Sequence, residues 1–216
     1  MERIICLLIG YACGLFQTAY IMGKIYHTDI RKQGSGNLGS TNVMRTLGKK
    51  AGALNLLCDC LKCVAAILIV RALFEDRYAD ILPLLSLYAA AGCILGHNFP
   101  FYLNFKGGKG IAASVGLLAA FDWRLLLICA AVFFALFFTT HYVSLCSISA
   151  YVIAFILMVV FGQRGDYHMD QSHMLELYVV MAFLTVLALF RHKKNIQRLL
   201  DGTESQIYLG KKKKNQ

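Results

Sequence analysis

The stretch YVSLCSISAYVIAFILMVVF, Tyr142–Phe161, determines the class of fold predicted for this chain. A helix that crosses the roughly 30 Å hydrocarbon core of a bilayer needs about 20 mostly apolar residues. This stretch has that length and contains no Asp, Glu, Lys or Arg. It therefore predicts a membrane-spanning helix.

Six further apolar stretches lie on either side of it: Ile4–Met22, Ala51–Val70, Ile81–Leu95, Ile111–Phe121, Leu125–Phe138 and Leu175–Phe190. The stretch at 111–121 is too short to cross alone and is expected to be a half-span inside the bundle. No cleavage site of the A-x-A kind follows the first stretch, so we interpret it as a span and not as a signal peptide. The predicted fold is an all-α integral membrane protein, a seven-helix transmembrane bundle with short or half-spanning helices. Five spans is the alternative count.

The composition agrees with a membrane protein. Of 216 residues, 58% are hydrophobic and 16% charged, and the mean hydropathy is +0.58. Soluble domains carry about a quarter charged residues. Residues 1–216 are expected to form a single domain whose basic end, 211–216, is a solvated tail. The net charge is +10, but the basic residues lie between or after apolar spans, which favours anionic lipid and anionic substrates over nucleic acid.

The basic residues also predict an orientation. Six lie within residues 24–50 and eight follow Phe190, whereas arginines in the alternate loops are offset by acidic neighbours. Because loops rich in Lys and Arg stay in the cytoplasm, the C-terminus is expected inside and the N-terminus outside. An odd number of crossings is then required, and seven satisfies it.

The chain has eight cysteines, mostly inside apolar stretches. A disulfide framework is typical of small secreted chains, which this is not. Cys58, Cys60 and Cys63 approach the spacing of metal ligands but lack a nearby His to complete a tetrahedral set. Buried thiols are the preferred interpretation, and neither a metal nor a cofactor is expected.

Three polar segments interrupt the apolar pattern, and the first is GSGNLGSTN, residues 34–42. Glycines expose backbone N–H groups and permit positive φ, so such a run can cradle an anion. An arginine three residues later adds a fork suited to phosphate oxygens. A flexible loop is the alternative. The candidate residues are Ser35, Gly36, Asn37, Gly39, Thr41, Asn42 and Arg45.

The second segment, GHNFPFYLNFKGGKG at residues 96–110, leads into the predicted half-span. A glycine loop with lysines at a helix N-terminus favours anion binding, because unpaired N–H groups and the helix dipole point at the ligand. It is not a nucleotide P-loop, since Leu103 and Gly110 occupy places that require Gly and Ser or Thr. Lysines that anchor a span, and a histidine satisfied at the interface, are the alternatives. The candidate residues are His97, Lys106, Gly107, Gly108, Lys109 and Gly110.

The third segment is RHKKNIQRLLDGTE, residues 191–204. In a helix His192 and Asn195 would lie one turn apart on one face, near Arg191 and Arg198. A basic juxtamembrane helix with no role in chemistry is an equal alternative. On the predicted topology all three segments face the cytoplasm, which favours one active site.

Polar residues also occur within the predicted membrane region. Asn55, Asp59 and Lys62 fall at i, i+4 and i+7 of the second span, where charges usually face a bundle interior. A structural ion pair between Asp59 and Lys62 is preferred to a substrate contact. At the start of the sixth span, Ser144 could reach a substrate or bond back into its own helix.

Taken together, the three segments closely resemble the bacterial acyl-phosphate:glycerol-3-phosphate acyltransferase family over nearly the whole chain. GSGNLGSTNVMR resembles the family's first motif, GHNFPFYLNFKGGKGIAAS its second and RHKKNIQRLLDGTE its third. Leu38 stands where proline is common and Ser40 where alanine is common. His141 stands where arginine is expected.

The resemblance implies roles for individual residues. Ser35, Arg45, His192 and Asn195 match positions needed for activity, and the second-motif glycines match positions associated with glycerol 3-phosphate binding. Ser144 matches a phosphate contact and Glu204 a structural position.

The resemblance also implies the reaction. Acyl phosphate and glycerol 3-phosphate would give 1-acylglycerol 3-phosphate and phosphate, the first step of bacterial phospholipid synthesis, at the cytoplasmic side of the inner membrane. No histidine has Asp five residues later, as acyl-CoA enzymes of the soluble type require. A transporter or channel for a phosphorylated solute is the rival function. A monomer is expected.

Overall fold

The computed structural model describes residues 1–208, and in this part of the chain helices joined by loops are the regular structure, with no strand. The basic tail predicted at 211–216 lies outside the described residues. Ten α-helices follow one another: α1 Glu2–Gly14, α2 Thr18–Ile25, α3 Ser40–Leu47, α4 Lys49–Tyr78, α5 Leu82–Asn98, α6 Ile111–Phe121, α7 Trp123–Thr140, α8 Val143–Gln163, α9 Gln171–Arg191 and α10 Lys193–Leu200.

The all-α membrane architecture predicted from the sequence is confirmed. Five stretches of the described chain are helical, long and apolar enough to cross a bilayer, and one of them, Lys49–Leu103, contains both α4 and α5. Many large apolar side chains point outward, as lipid-facing positions do, among them Leu54, Leu61, Leu68, Phe134, Val179, Phe183 and Val186. The number of crossings and the side of each terminus stay predictions.

The first predicted span is confirmed as one of these five stretches, Glu2–Ile25, but it is not one continuous helix. It breaks after Gly14, and the chain resumes a helix at Thr18. A break inside a membrane protein requires partners for the freed carbonyl groups. The amide nitrogen of Gln17 partners one of them, the carbonyl oxygen of Gly14 at 3.2 Å. The same nitrogen lies 3.1–3.2 Å from the carbonyl oxygens of Gly96 and His97 at the end of α5.

Helices α1 and α5 pack backbone to backbone through small residues. A Cβ atom added at Gly10 or Gly14 would meet backbone atoms of α5, and one added at Gly92 or Gly96 would meet backbone atoms of α1. Glycines four residues apart allow this close approach in membrane helices. The contact holds the broken end of α1 beside the C-terminal end of α5, where the second polar segment begins.

A main apolar cluster fills the interior among α1 and α4 to α9. A smaller cluster lies beneath the first polar segment and consists of Ala19, Met22, Ile30, Leu38, Val43, Ala51 and Leu103. Leu38, which stands where the resemblance would place proline, is 1% exposed in this smaller cluster. The first segment is therefore attached to the bundle by an apolar side chain from its own middle.

Candidate active site

The three polar segments meet at one end of the helix bundle. Nζ of Lys109 in the second segment donates to Oδ1 of Asn195 in the third over 2.5 Å. Nδ2 of Asn55 on α4 donates to the hydroxyl of Ser40 in the first segment over 2.9 Å. Arg45 is close enough to Lys109 for its charge to affect the pKa of that lysine. Residues far apart in sequence are thus gathered around one region.

Glu204 joins the third segment to α8. Its carboxylate accepts hydrogen bonds from Asn195 at 2.7 Å, from Arg198 at 2.6 Å and from the hydroxyl of Ser144 at 2.8 Å. The side chain is only 8% exposed. Burial opposes ionisation, but these hydrogen bonds and the charge of Arg198 hold the pKa of Glu204 below its ordinary value. Glu204 is therefore an anion that positions Asn195 and Ser144.

Positive charge exceeds negative charge in this region. Burial lowers the pKa of Lys109 to about 8, with contributions from the charges of Arg198, Arg191 and Arg45, whereas the charge of Glu204 opposes the shift. Four cationic side chains thus act on a region that contains one carboxylate. A site with this imbalance attracts an anion, because a bound phosphate relieves the repulsion among the cations.

The ring of His192 is buried and oriented. Its Nδ1 atom donates to the carbonyl oxygen of Ala188 over 2.8 Å, one turn earlier in α9. Within residues 1–208, Nε2 has no hydrogen-bond partner, so a neutral ring presents a lone pair there. Burial lowers the pKa of His192 to about 4, and the neighbouring charge of Lys109 contributes to the shift. The imidazole is therefore neutral at neutral pH.

The glycine loop of the second segment is held from both sides. Nη2 of Arg191 donates to the carbonyl oxygens of Gly107 at 3.1 Å and Gly108 at 2.6 Å. The N–H of Gly108 donates to the carbonyl oxygen of His97 over 3.1 Å. A Cβ atom at Gly108 would collide with the His97 ring, so the close approach requires glycine. Gly110 then caps α6 with φ +82°.

The first segment is organised by Asn42. The Asn42 amide is 1% exposed, accepts from the N–H of Ser35 at 2.9 Å and donates to the carbonyl oxygens of Ile30 and Gln33 at 3.2 and 3.0 Å. Its polar groups are thus bonded to its own loop, which favours a structural role over the predicted substrate contact. Ser35 and Arg45 are exposed.

The remaining candidates differ in accessibility. Gly36, Asn37, Gly39 and Thr41 are half-buried around the loop, and Lys106 is exposed. His97 is 2% exposed and its ring lies under the glycine loop, which favours support of that loop over direct substrate binding. Asp59 and Lys62 form an ion pair of 2.7 Å in the interior. No cluster of His, Cys, Asp and Glu in residues 1–208 could hold a metal ion.

Sequence reasoning missed one contributor and did not predict the contacts of a second. Asn98 is fully buried beside Gly110, and within residues 1–208 neither atom of its side-chain amide has a hydrogen-bond partner. Buried polar atoms are rarely left unpaired, so Asn98 is a candidate ligand contact. Arg191 was named beside His192 and Asn195 in the third segment, but its hydrogen bonds to the glycine loop were not predicted.

Comparisons with known proteins agree with this arrangement. The sequence model of the glycerol-3-phosphate acyltransferase family matches residues 4–202. A glycerol-3-phosphate acyltransferase of Clostridioides difficile is 42% identical over 97% of this chain and 97% of its own. One of Lactiplantibacillus plantarum is 38% identical over 97% of this chain and 94% of its own.

The fold also matches a solved structure. The crystal structure of PlsY, an integral membrane glycerol 3-phosphate acyltransferase, in its glycerol 3-phosphate form superimposes with a TM-score of 0.82 and 30% identity, over 96% of each chain. The lysophosphatidic acid form gives a TM-score of 0.80 over the same shares. The chain therefore belongs to the glycerol-3-phosphate acyltransferase family and is an integral membrane acyltransferase.

Proposed function

We propose that this enzyme transfers an acyl group from acyl phosphate to the 1-hydroxyl of glycerol 3-phosphate, with 1-acylglycerol 3-phosphate and inorganic phosphate as products. The observation that carries this proposal is the excess of positive charge at the meeting point of the three segments. Lys109 is held there by Asn195, and Arg191 holds the adjacent glycine loop. Both substrates are phosphates, and two anions can be brought together only where cations offset their repulsion.

The site residues are assigned to the two substrates by their positions. Lys109 and Asn98, which lie beside the glycine loop, bind the phosphate of glycerol 3-phosphate. Ser35 and Arg45 of the first segment bind the phosphate of the acyl donor. His192 faces the reacting hydroxyl with Nε2. These assignments rest on exposure, charge and hydrogen bonding, and on the resemblance of the three segments to the family motifs.

The chemistry requires little beyond positioning. The 1-hydroxyl attacks the acyl carbon, the new ester C–O bond forms, and the bond from that carbon to the phosphate oxygen breaks. Positioning two bound reactants can lower the barrier by about 7–11 kcal/mol. Before the attack, Nε2 of His192 accepts the hydrogen bond of the hydroxyl and orients it. As the ester forms, that single proton passes to the departing phosphate oxyanion, which is a stronger base than an imidazole whose pKa is about 4.

The donor is tested with purified protein in detergent or lipid mesophase. Glycerol 3-phosphate is supplied with either acyl phosphate or acyl-CoA, and phosphate and lysophosphatidic acid are measured. We expect both products in equal amounts from acyl phosphate and none from acyl-CoA. Turnover with acyl-CoA alone would refute the proposed donor. Binding of glycerol 3-phosphate by folded protein without turnover would favour transport of a phosphorylated solute.

Direct attack is tested separately. The protein is incubated with acyl phosphate in the absence of glycerol 3-phosphate, and its intact mass is measured. We expect an unchanged mass. A stable adduct of one acyl group on Ser35 would instead establish a covalent intermediate and contradict direct attack.

We also infer that the enzyme is a monomer in the bacterial inner membrane, with its active site on the cytoplasmic side. The basic residues of 24–50 and of the chain after Phe190 support this orientation. Labelling of single cysteines in intact cells would test the orientation, with a cysteine introduced at Lys106 expected to react only after permeabilisation. Light scattering of the purified protein would test the monomer.

A further inference from the structure

A second group of charged side chains lies inside the bundle, away from the proposed phosphate contacts. Asp59 and Lys62 on α4 and His97 on α5 are 1%, 7% and 2% exposed. Charges at this depth are expensive and usually have a function. The group is neither a metal site nor in reach of solvent, so its role has to come from what it connects.

The ammonium group of Lys62 donates three hydrogen bonds, each to a different part of the chain. Nζ donates to the carbonyl oxygen of Phe16 at 2.7 Å, to Oδ1 of Asp59 at 2.7 Å and to Nδ1 of His97 at 2.8 Å. The Phe16 carbonyl is one of the groups freed by the break between α1 and α2. A lysine ammonium has three N–H groups, so its hydrogen-bonding capacity is saturated.

Asp59 extends the group toward the first polar segment. Oδ1 also accepts from the hydroxyl of Thr18 at 3.4 Å, and Oδ2 accepts from Nδ2 of Asn55 at 2.9 Å. The same Asn55 nitrogen donates to the hydroxyl of Ser40 at 2.9 Å. Ser40 is the first residue of α3, the helix that carries Arg45.

His97 extends the group toward the second polar segment. Its carbonyl oxygen accepts from Gln17 at 3.1 Å and from the N–H of Gly108 at 3.1 Å. Its ring packs directly against Gly108, where no side chain could be accommodated. An unbroken series of bonds thus runs from Ser40 through Asp59, Lys62 and His97 to the glycine loop.

Stability alone does not account for this arrangement. Replacing a buried ion pair by apolar residues of similar volume is often neutral or stabilising, whereas removing one partner is costly. We propose that Asp59, Lys62 and His97 form a positioning unit that fixes the first segment relative to the glycine loop, so that the two bound substrates are held at reacting distance. The unit touches neither substrate. This proposal rests on the proposed function, in which each of the two segments binds the phosphate of one substrate.

The test removes both charges together. In the double variant Asp59→Leu/Lys62→Met no charge is left unpaired, so the fold is expected to survive. We expect a melting temperature within about 5 °C of the parent and a kcat at least tenfold lower, because small displacements of reacting groups reduce rates steeply. The KM for glycerol 3-phosphate should change less than threefold, since its phosphate contacts remain.

A matched control is available at the other end of the bundle. Arg3 on α1 and Glu176 on α9 form a half-buried pair of 2.6 Å between two helices. The variant Arg3→Met/Glu176→Leu removes the same charges and is expected to retain kcat within twofold. A loss in both double variants would mean a general effect of charge removal and would overturn the positioning role.

Normal melting and normal kcat in Asp59→Leu/Lys62→Met would also overturn the proposal. If that variant does not fold, the polar variant Asp59→Asn/Lys62→Gln, which also leaves no charge unpaired, replaces it, and kcat unchanged in that folded protein counts equally against the proposal. Failure of the proposed function would be distinguishable from failure of this proposal, because the unsubstituted enzyme would then be inactive with acyl phosphate.

Discussion

The two sides of the proposed site are held very differently. Around Glu204 the polar side chains of Asn195, Ser144 and Arg198 bond to one buried carboxylate, and Lys109 bonds to Asn195. On the opposite side Ser35 and Arg45 are exposed, and within residues 1–208 no hydrogen bond is made by either side chain. We call the first set the fixed side and the second the open side.

This difference indicates how the site works. Donors that are already oriented stabilise developing charge without the cost of reordering, so the fixed side suits a substrate that is bound in a constant position. The open side gains its geometry only when an anion binds. We therefore expect side chains of the two sides to differ in how their removal divides between kcat and KM.

The largest loss is expected on the fixed side. Lys109→Met removes a partly buried cation and leaves Asn195 without its partner. We expect kcat/KM for glycerol 3-phosphate to fall by about 10³-fold, as when an oriented donor of an anion site is lost. Lys106 lies in the same loop but is exposed, so the fold-decrease of kcat/KM in Lys106→Met should be less than a tenth of that in Lys109→Met. Similar losses of kcat/KM in Lys109→Met and Lys106→Met would contradict the placement of Lys109 on the fixed side.

On the open side, Arg45→Met should lower kcat/KM by about 10²-fold, mostly through the KM for acyl phosphate. Arg45→Lys keeps the charge but lacks the planar fork that matches phosphate oxygens, so it should restore only part of the loss. Steady-state kinetics with each substrate varied in turn measures this. A rise confined to the KM for glycerol 3-phosphate would assign Arg45 to the other substrate.

What could be predicted from the sequence depends on whether a feature is set by local composition or by packing. Helices follow from local composition, and the bounds of α6 were predicted without error as Ile111–Phe121. The break after Gly14 was not predicted. One glutamine changes the averaged hydropathy of a span very little, and the partners of Gln17 lie on α5. The three segments were recognised as motifs, and the glycines and cationic residues of the first two suggested anion binding.

The contacts inside the site could not be predicted in the same way. Lys109 and Asn195 are 86 positions apart, and Ser144 and Glu204 are 60 positions apart. Their pairing depends on how α6, α8 and α10 pack, which no local pattern encodes. For the same reason His97 was expected at the substrate, whereas packing places its ring beneath the glycine loop.

A smaller loss is expected for Ser35→Ala. A hydroxyl that donates to a charged phosphate contributes about 1.5–3 kcal/mol, which corresponds to roughly 10- to 150-fold in kcat/KM. Residual activity should remain measurable, because the hydroxyl forms no covalent bond to the acyl group. Complete loss in folded Ser35→Ala protein, together with an acyl adduct on the parent, would contradict direct attack.

The smallest effect concerns pH. Lys109 is cationic below its pKa of about 8, so kcat/KM for glycerol 3-phosphate should fall as the pH rises above 8. The negative charge of Glu204 raises that pKa, so in Glu204→Gln the fall should begin at lower pH. The exposed Asp201 provides the control, and Asp201→Asn should leave the profile unchanged. An unchanged profile in Glu204→Gln would exclude Lys109 as the titrating group.

The central claim is that the fixed and open sides act on one pair of bound substrates. A double-mutant cycle in kcat/KM with Arg45→Met and Lys109→Met tests it most directly. Distant, independent sites add within about 0.5 kcal/mol, whereas residues that share a network or ligands do not. We predict a deviation from additivity of about 1 kcal/mol or more, roughly fivefold in rate. Strict additivity of the two losses would contradict a single site built from both sides.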